Sequence, residues 1–103
     1  RDHPHRYDLE LDDLTWADIV SALVRHGIGT ALAYIDHDNE VICHPPTNEE
    51  VEGKGLIVLV RSTDTPSVSV VEEALDRYRE FLKQWRDLHN HNEQTAETMT
   101  PKE

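Results

Sequence analysis

One cysteine, Cys43, cannot form an internal disulfide, and a lone thiol without a C-x-x-C or H-x-x-x-H pairing falls short of a structural zinc site. No uninterrupted apolar run exceeds five residues, whereas a bilayer span needs roughly 20, and no charged-then-apolar start resembles a secretion signal. A soluble chain with a cytoplasmic location is therefore expected. The four glycines, Gly27, Gly29, Gly53 and Gly55, stand where turns or caps want them and not in a phosphate-cradling loop. Neither a G-x-S-x-G elbow nor an H-E-x-x-H pair occurs. Basic side chains are scarce too: 10 Lys and Arg face 21 Asp and Glu, a formal net charge of -11. Such a surface repels nucleic-acid phosphates and anionic lipid, which leaves a basic protein as the natural partner.

What remains is a regular alternation of short apolar patterns, in a chain of 103 residues with room for one core. Tyr7, Leu9 and Leu11 alternate with Asp8, Glu10 and Asp12 at period two, the pattern of a strand with one buried face. Thr15 and Asp18 form a capping box, and Trp16, Ile19, Val20, Leu23 and Val24 follow on one stripe, so a helix is expected over 16–26, closed by Gly27. The segment from Ala31 to His44 reads as a hairpin with a four-residue loop, Asp36 to Asn39. Pairing Tyr34 with Val41 puts Leu32, Tyr34, Val41 and Cys43 on one face and Ala31, Ala33, Ile35, Ile42 and His44 on the other. On that reading Cys43 is a small buried hydrophobe. Pro45 and Pro46 end the strand, Thr47 to Lys54 is a polar loop, and Leu56 to Val60 is the middle of the sheet, covered on both faces.

Thr65, Pro66 and Ser67 open a last helix, with Ser69 and Glu72 as a second capping box, and its pattern runs to about His89. The expected fold class is α+β: a small antiparallel sheet of three to four strands packed against two helices, the C-terminal one long. A single domain over 1–90 is followed by a polar, disordered tail over 91–103.

Few residues are arranged for chemistry. Asp36, Asp38 and Glu40 resemble the opening of a calcium loop, but Val41 stands where the turn glycine belongs and Thr47 where the terminal bidentate Glu belongs. His37, His44 and nearby carboxylates offer a histidine-dependent or metal-dependent enzyme as a third reading, though nothing orients one histidine toward a partner group. Cys43 and His44 are neighbours on a strand and so point to opposite faces, which argues against a dyad. No catalytic residue, metal site or cofactor is assigned.

Charge placement is the stronger signal. From 36 to 52 there are six acidic side chains, Asp36, Asp38, Glu40, Glu49, Glu50 and Glu52, and no Lys or Arg. If the hairpin tip and the loop after Pro46 meet in space, they make one negative patch for a basic surface. The leading reading is a non-enzymatic module of inhibitor, immunity or adaptor type that binds a basic partner protein. The alternative is a structural homodimer through the long helix, where Tyr78, Phe81, Leu82, Trp85 and Leu88 are the anchoring types.

Overall fold

The computed structural model describes the backbone of residues 1–61, 63 and 65–99, and among these the side chains up to residue 89. Eight elements follow one another: β1 (Asp2–Asp8), β2 (Leu14–Thr15), α1 (Trp16–Arg25), β3 (Thr30–Asp36), β4 (Val41–Cys43), β5 (Glu50–Val51), β6 (Gly53–Arg61) and α2 (Val68–Met99). Four strands form an antiparallel sheet in the order β1-β6-β3-β4, and β2 with β5 makes a separate two-stranded ribbon. The architecture is the expected α+β class, with β6 in the middle of the sheet.

Both helices lie on one face. Leu56, Val58 and Val60 of β6 are fully buried there, in one cluster with Ile19, Ala22 and Leu23 of α1 and Val71, Ala74 and Leu75 of α2. The other face carries no helix, and Ile57 and Leu59 on it are half-buried. The continuous apolar run of β6 is therefore not covered on both sides by helices. On that same face Ala33 and Ile35 of β3, paired with Ile57 and Gly55, are buried.

α1 begins as the sequence predicts: Thr15 Oγ1 accepts the Asp18 N–H while Asp18 accepts the Thr15 N–H. It ends at Gly27, whose φ of 65° is the left-handed conformation that glycine adopts without strain, and the Ile28 N–H donates to the Leu23 carbonyl at 2.9 Å. α2 opens after Thr65, Pro66 and Ser67 as the sequence predicts, with its cap two residues before the expected box at Ser69. Ser67 is the cap, with Oγ accepting the Val70 N–H, and Ser69 lies inside the first turn. The chain is fixed there because the Tyr7 hydroxyl donates to the Pro66 carbonyl at 2.7 Å.

The hairpin differs from expectation in register. Ala33 pairs with Cys43, Tyr34 with Ile42 and Ile35 with Val41. The loop closes between Asp36 and Glu40, with Asn39 in the left-handed conformation at φ 68°, so it holds three residues, not four. One residue fewer in the loop flips every side chain of β4 to the other face. Cys43 is consequently exposed and not buried, and His44 falls outside β4 with φ 55°. The expected polar loop over 47–54 also holds structure: Val51 is 2% exposed and belongs to the core, which pulls Glu50–Val51 into pairing with β2.

α2 changes character along its length. Val71, Ala74 and Leu75 are buried, Tyr78 and Leu82 are half-buried against the core, and Phe81, Trp85 and Leu88 are exposed. The tail expected over 91–103 lies outside the described residues except for the α2 backbone to Met99. No helix among the described residues is long and apolar enough to cross a membrane. Truncating Leu75 to Ala should cost about 2 to 5 kcal/mol of unfolding free energy, and Leu88→Ala less than about 0.5 kcal/mol. Urea unfolding followed by circular dichroism at low micromolar protein concentration checks both.

Candidate functional site

Three chain segments meet at one end of the sheet. In the first, Leu9 and Leu11 are buried, and their N–H groups donate to the carbonyls of Lys54 and Gly53, prolonging the contact of β1 with β6 beyond Asp8. Alternation then turns Glu10 and Asp12 outward. Asp13, at φ 73°, takes the left-handed turn that sends the chain into β2, a conformation Asp tolerates better than most side chains.

The second segment is the β3–β4 tip. Asp36 Oδ1 accepts the N–H groups of both Asp38 and Glu40 at 2.9 Å, so the residue that looks like a first calcium ligand serves as the acceptor that shapes the turn. The third runs from Glu49 to Glu52. It is held against the tip where Gly53 pairs with Asp36 at an irregularity of the β3–β6 ladder: a Cβ at Gly53 would lie 2.8 Å from the Ile35 carbonyl and 2.9 Å from the Tyr34 ring. Only glycine permits that approach.

The hairpin tip and the loop after Pro46 do meet. An open cleft of about 360 Å³ is lined by Tyr34, Asp36, His37, Asp38, Glu50 and Glu52. A neighbouring cleft of about 260 Å³ is lined by Asp12, Asp13, His37, Glu50, Val51 and Glu52. Tyr34 registers the field of this rim. Its hydroxyl is pushed above the usual tyrosine range, first by burial and then by the charges of Asp36, Glu49 and Glu52. Of the six acidic residues expected to form a patch, five are thereby brought together. Glu40 shares in the tip through its backbone.

Glu10, Asp12, Asp13 and His37 complete the rim, and their convergence was not expected. The signal for Glu10 and Asp12 was the alternation with Leu9 and Leu11. What the pattern could not give was the antiparallel return of β6 that carries them beside the tip. His37 Nε2 stands 3.9 Å from Asp12 Oδ1. Glu10, Asp12 and His37 offer ligand atoms within 4.8 Å of one another, and all three are exposed. They are the residues of this rim with metal-ligand chemistry, in an arrangement also common on bare acidic surfaces.

A basic residue of α2 holds this rim by its backbone, beside a cleft that Asp13 and Glu50 share with Lys83 and Arg86. Arg79 of α2 donates from Nε to the Asp12 carbonyl at 3.0 Å and from Nη2 to the Glu10 carbonyl at 3.1 Å, while Nη1 pairs with Asp76 at 2.7 Å. The guanidinium thus fixes the loop and leaves its carboxylates facing outward. What this arrangement presents is negative charge turned outward.

The helix residues singled out in the sequence are divided by the structure. Tyr78 and Leu82 lean on the core, whereas Phe81, Trp85 and Leu88 form an exposed stripe. Arg25 lies over the Phe81 ring at 5.1 Å, and the Trp85 and His89 rings stack at 4.8 Å.

Replacing Glu49 and Glu52 by Gln should lower the Tyr34 pKa, because two negative charges that oppose the phenolate are removed. It should stay above the usual value, since burial is the larger cause. A ring-carbon NMR titration of wild type and double variant reads this shift, and an unchanged Tyr34 would mean that the loop does not approach the tip.

No protein-family model, curated protein or solved structure matches this chain.

Proposed function

We propose that this chain is a non-enzymatic binding module, of inhibitor, immunity or adaptor type, whose acidic rim engages a basic surface of a partner protein. One observation carries the reading: carboxylates from three separate segments converge around Tyr34 and His37, on loops anchored by buried Leu9, Leu11 and Val51. Asp36, Asp38, Glu49, Glu50 and Glu52, joined by Glu10, Asp12 and Asp13, present negative charge on a fixed framework. Glu40 flanks it at the tip.

A preorganised field of one sign accelerates encounter with a partner of the opposite sign and selects against like-charged ones. It also explains why nucleic acid and anionic membrane are poor partners for this face. The exposed thiol of Cys43 fits a reducing compartment, and a cytoplasmic location goes with this reading.

The test is reversal of Glu49, Glu50 and Glu52 to Lys in the full chain, all three being exposed. With wild type and variant used side by side to capture proteins from native lysate, a basic protein should be retained by the first and lost by the second. The purified pair should then bind at least about tenfold more weakly through the variant, with a flatter dependence on salt. Identical capture by both chains would mean that the rim's charge serves solvation and not binding.

A further inference from the structure

We propose that the basic partner of the acidic rim adds an extended strand to β4, the edge of the sheet beside that rim. The choice of a basic strand rests on the reading above, and its place rests on backbone geometry.

The order β1-β6-β3-β4 leaves the sheet two edges. In an antiparallel ladder, residues that exchange hydrogen bonds with the neighbouring strand alternate with residues whose N–H and C=O groups point the other way. On β4 the parity is set at the turn, where the Asp36 N–H donates to the Glu40 carbonyl at 3.0 Å. Along the register from that pair, Ile42 bonds inward to Tyr34, so Val41 and Cys43 direct their N–H and C=O groups out of the sheet. No described residue pairs with these outward groups. His44, at φ 55°, turns the chain away and ends the row. Between Glu40 and His44 stands neither proline nor lysine, the residues that commonly block an edge.

The β1 edge is different. The Leu9 N–H donates to the Lys54 carbonyl, so by the same parity Asp2, Pro4, Arg6 and Asp8 face outward. Pro4 has no N–H to give, and the row is broken in its middle.

Charge selects the occupant of β4. The strand lies inside the stretch from 36 to 52, which holds six carboxylates and no Lys or Arg, with Asp38 and Glu40 at its turn end. An antiparallel strand laid on this edge sets successive residues opposite Cys43, Ile42, Val41 and Glu40. The first and third share the helix-free face with Cys43 and Val41, whose partners Ala33 and Ile35 are buried, so apolar side chains there extend that cover. The fourth lies on the face that Ile42 and Tyr34 share with the rim, where Lys or Arg meets carboxylates. The recognised pattern is apolar, any residue, apolar, basic. A second copy of this chain would bring a net charge of -11 against -11 and is the weaker occupant.

The probe is a peptide of this pattern, acetyl-TVTVKVK-amide, titrated into the isotope-labelled full chain and followed by amide shifts and hydrogen exchange. A few backbone bonds and two apolar side chains make a weak contact, with a dissociation constant on the order of 1 mM. With peptide at about 5 mM, the Val41 and Cys43 amides should shift most and exchange about fivefold more slowly. Glu40→Lys should weaken binding several-fold, as should the peptide acetyl-TVTVEVE-amide on the wild type. Val41→Pro removes one outward N–H while leaving the bonds to β3 in place, and it should abolish binding; unchanged amide shifts in β3 and β6 verify the sheet. No binding at about 5 mM overturns the proposal. So does binding that shifts the rim while Val41 and Cys43 exchange unchanged, or binding that survives Val41→Pro in an intact sheet. Reversal of Glu49, Glu50 and Glu52 leaves the edge itself untouched. A peptide held at β4, beside a lysate capture indifferent to that reversal, would sink the rim and sustain the strand.

Discussion

β6 hydrogen-bonds to β1 along one edge and to β3 along the other, and this double pairing decides where every other segment can lie. Fixing Leu56, Val58 and Val60 inward obliges the opposed residues of β1 and β3 to follow the same alternation. It gives α1 and α2 a single surface to cover. Burying one aliphatic side chain contributes roughly 1.5 to 3 kcal/mol, against about 0 to 1 kcal/mol for an exposed ion pair. The ion pairs Arg6 with Asp8, Arg77 with Glu73 and Arg79 with Asp76 are at or near the surface. They decorate the fold, and the cluster around β6 determines it.

That ordering of magnitudes explains how an acidic rim is held together at all. Two like charges a few ångströms apart repel by about 1 kcal/mol in water, less when screened by salt. Several such repulsions would open a loop with no other tether. Here each rim segment has a buried apolar anchor: Leu9 and Leu11 in the core for the first, Val51 in the core for the third, and for the second Ile35, buried on the opposite face of the sheet beside Gly55. Arg79 adds a charged donor to two backbone carbonyls, which stiffens the first segment without neutralising its carboxylates. The rim is electrostatically unfavourable and mechanically fixed, the combination that a site for a cationic partner requires.

Much of this was legible from periodicity. The capping box at Thr15, the left-handed Gly27 and the core half of α2 all follow from local rules, because each is settled within one or two turns of chain. The failures share a different cause. The hairpin register hinged on whether Asp36 belongs to the loop or to the strand, and the Asp36 carboxylate resolves that by accepting two N–H groups across the turn. Letters cannot show which way such a side chain turns. Val51 read as an isolated apolar residue in a polar loop because its partner Leu14 lies 37 positions away. The rim itself was half visible: its acidic letters were evident, but its convergence depends on Gly53 pairing with Asp36, close against the Ile35 carbonyl, a contact between distant segments.

α2 ties the two surfaces together. Its first turns complete the core, Arg79 reaches from its middle to the loop bearing Glu10 and Asp12, and its later turns carry Phe81, Trp85 and Leu88 outward. Arg79 and Leu82 stand on the flank nearest the rim and Phe81 and Leu88 on the other, so the helix can present both faces at once without one occluding the other.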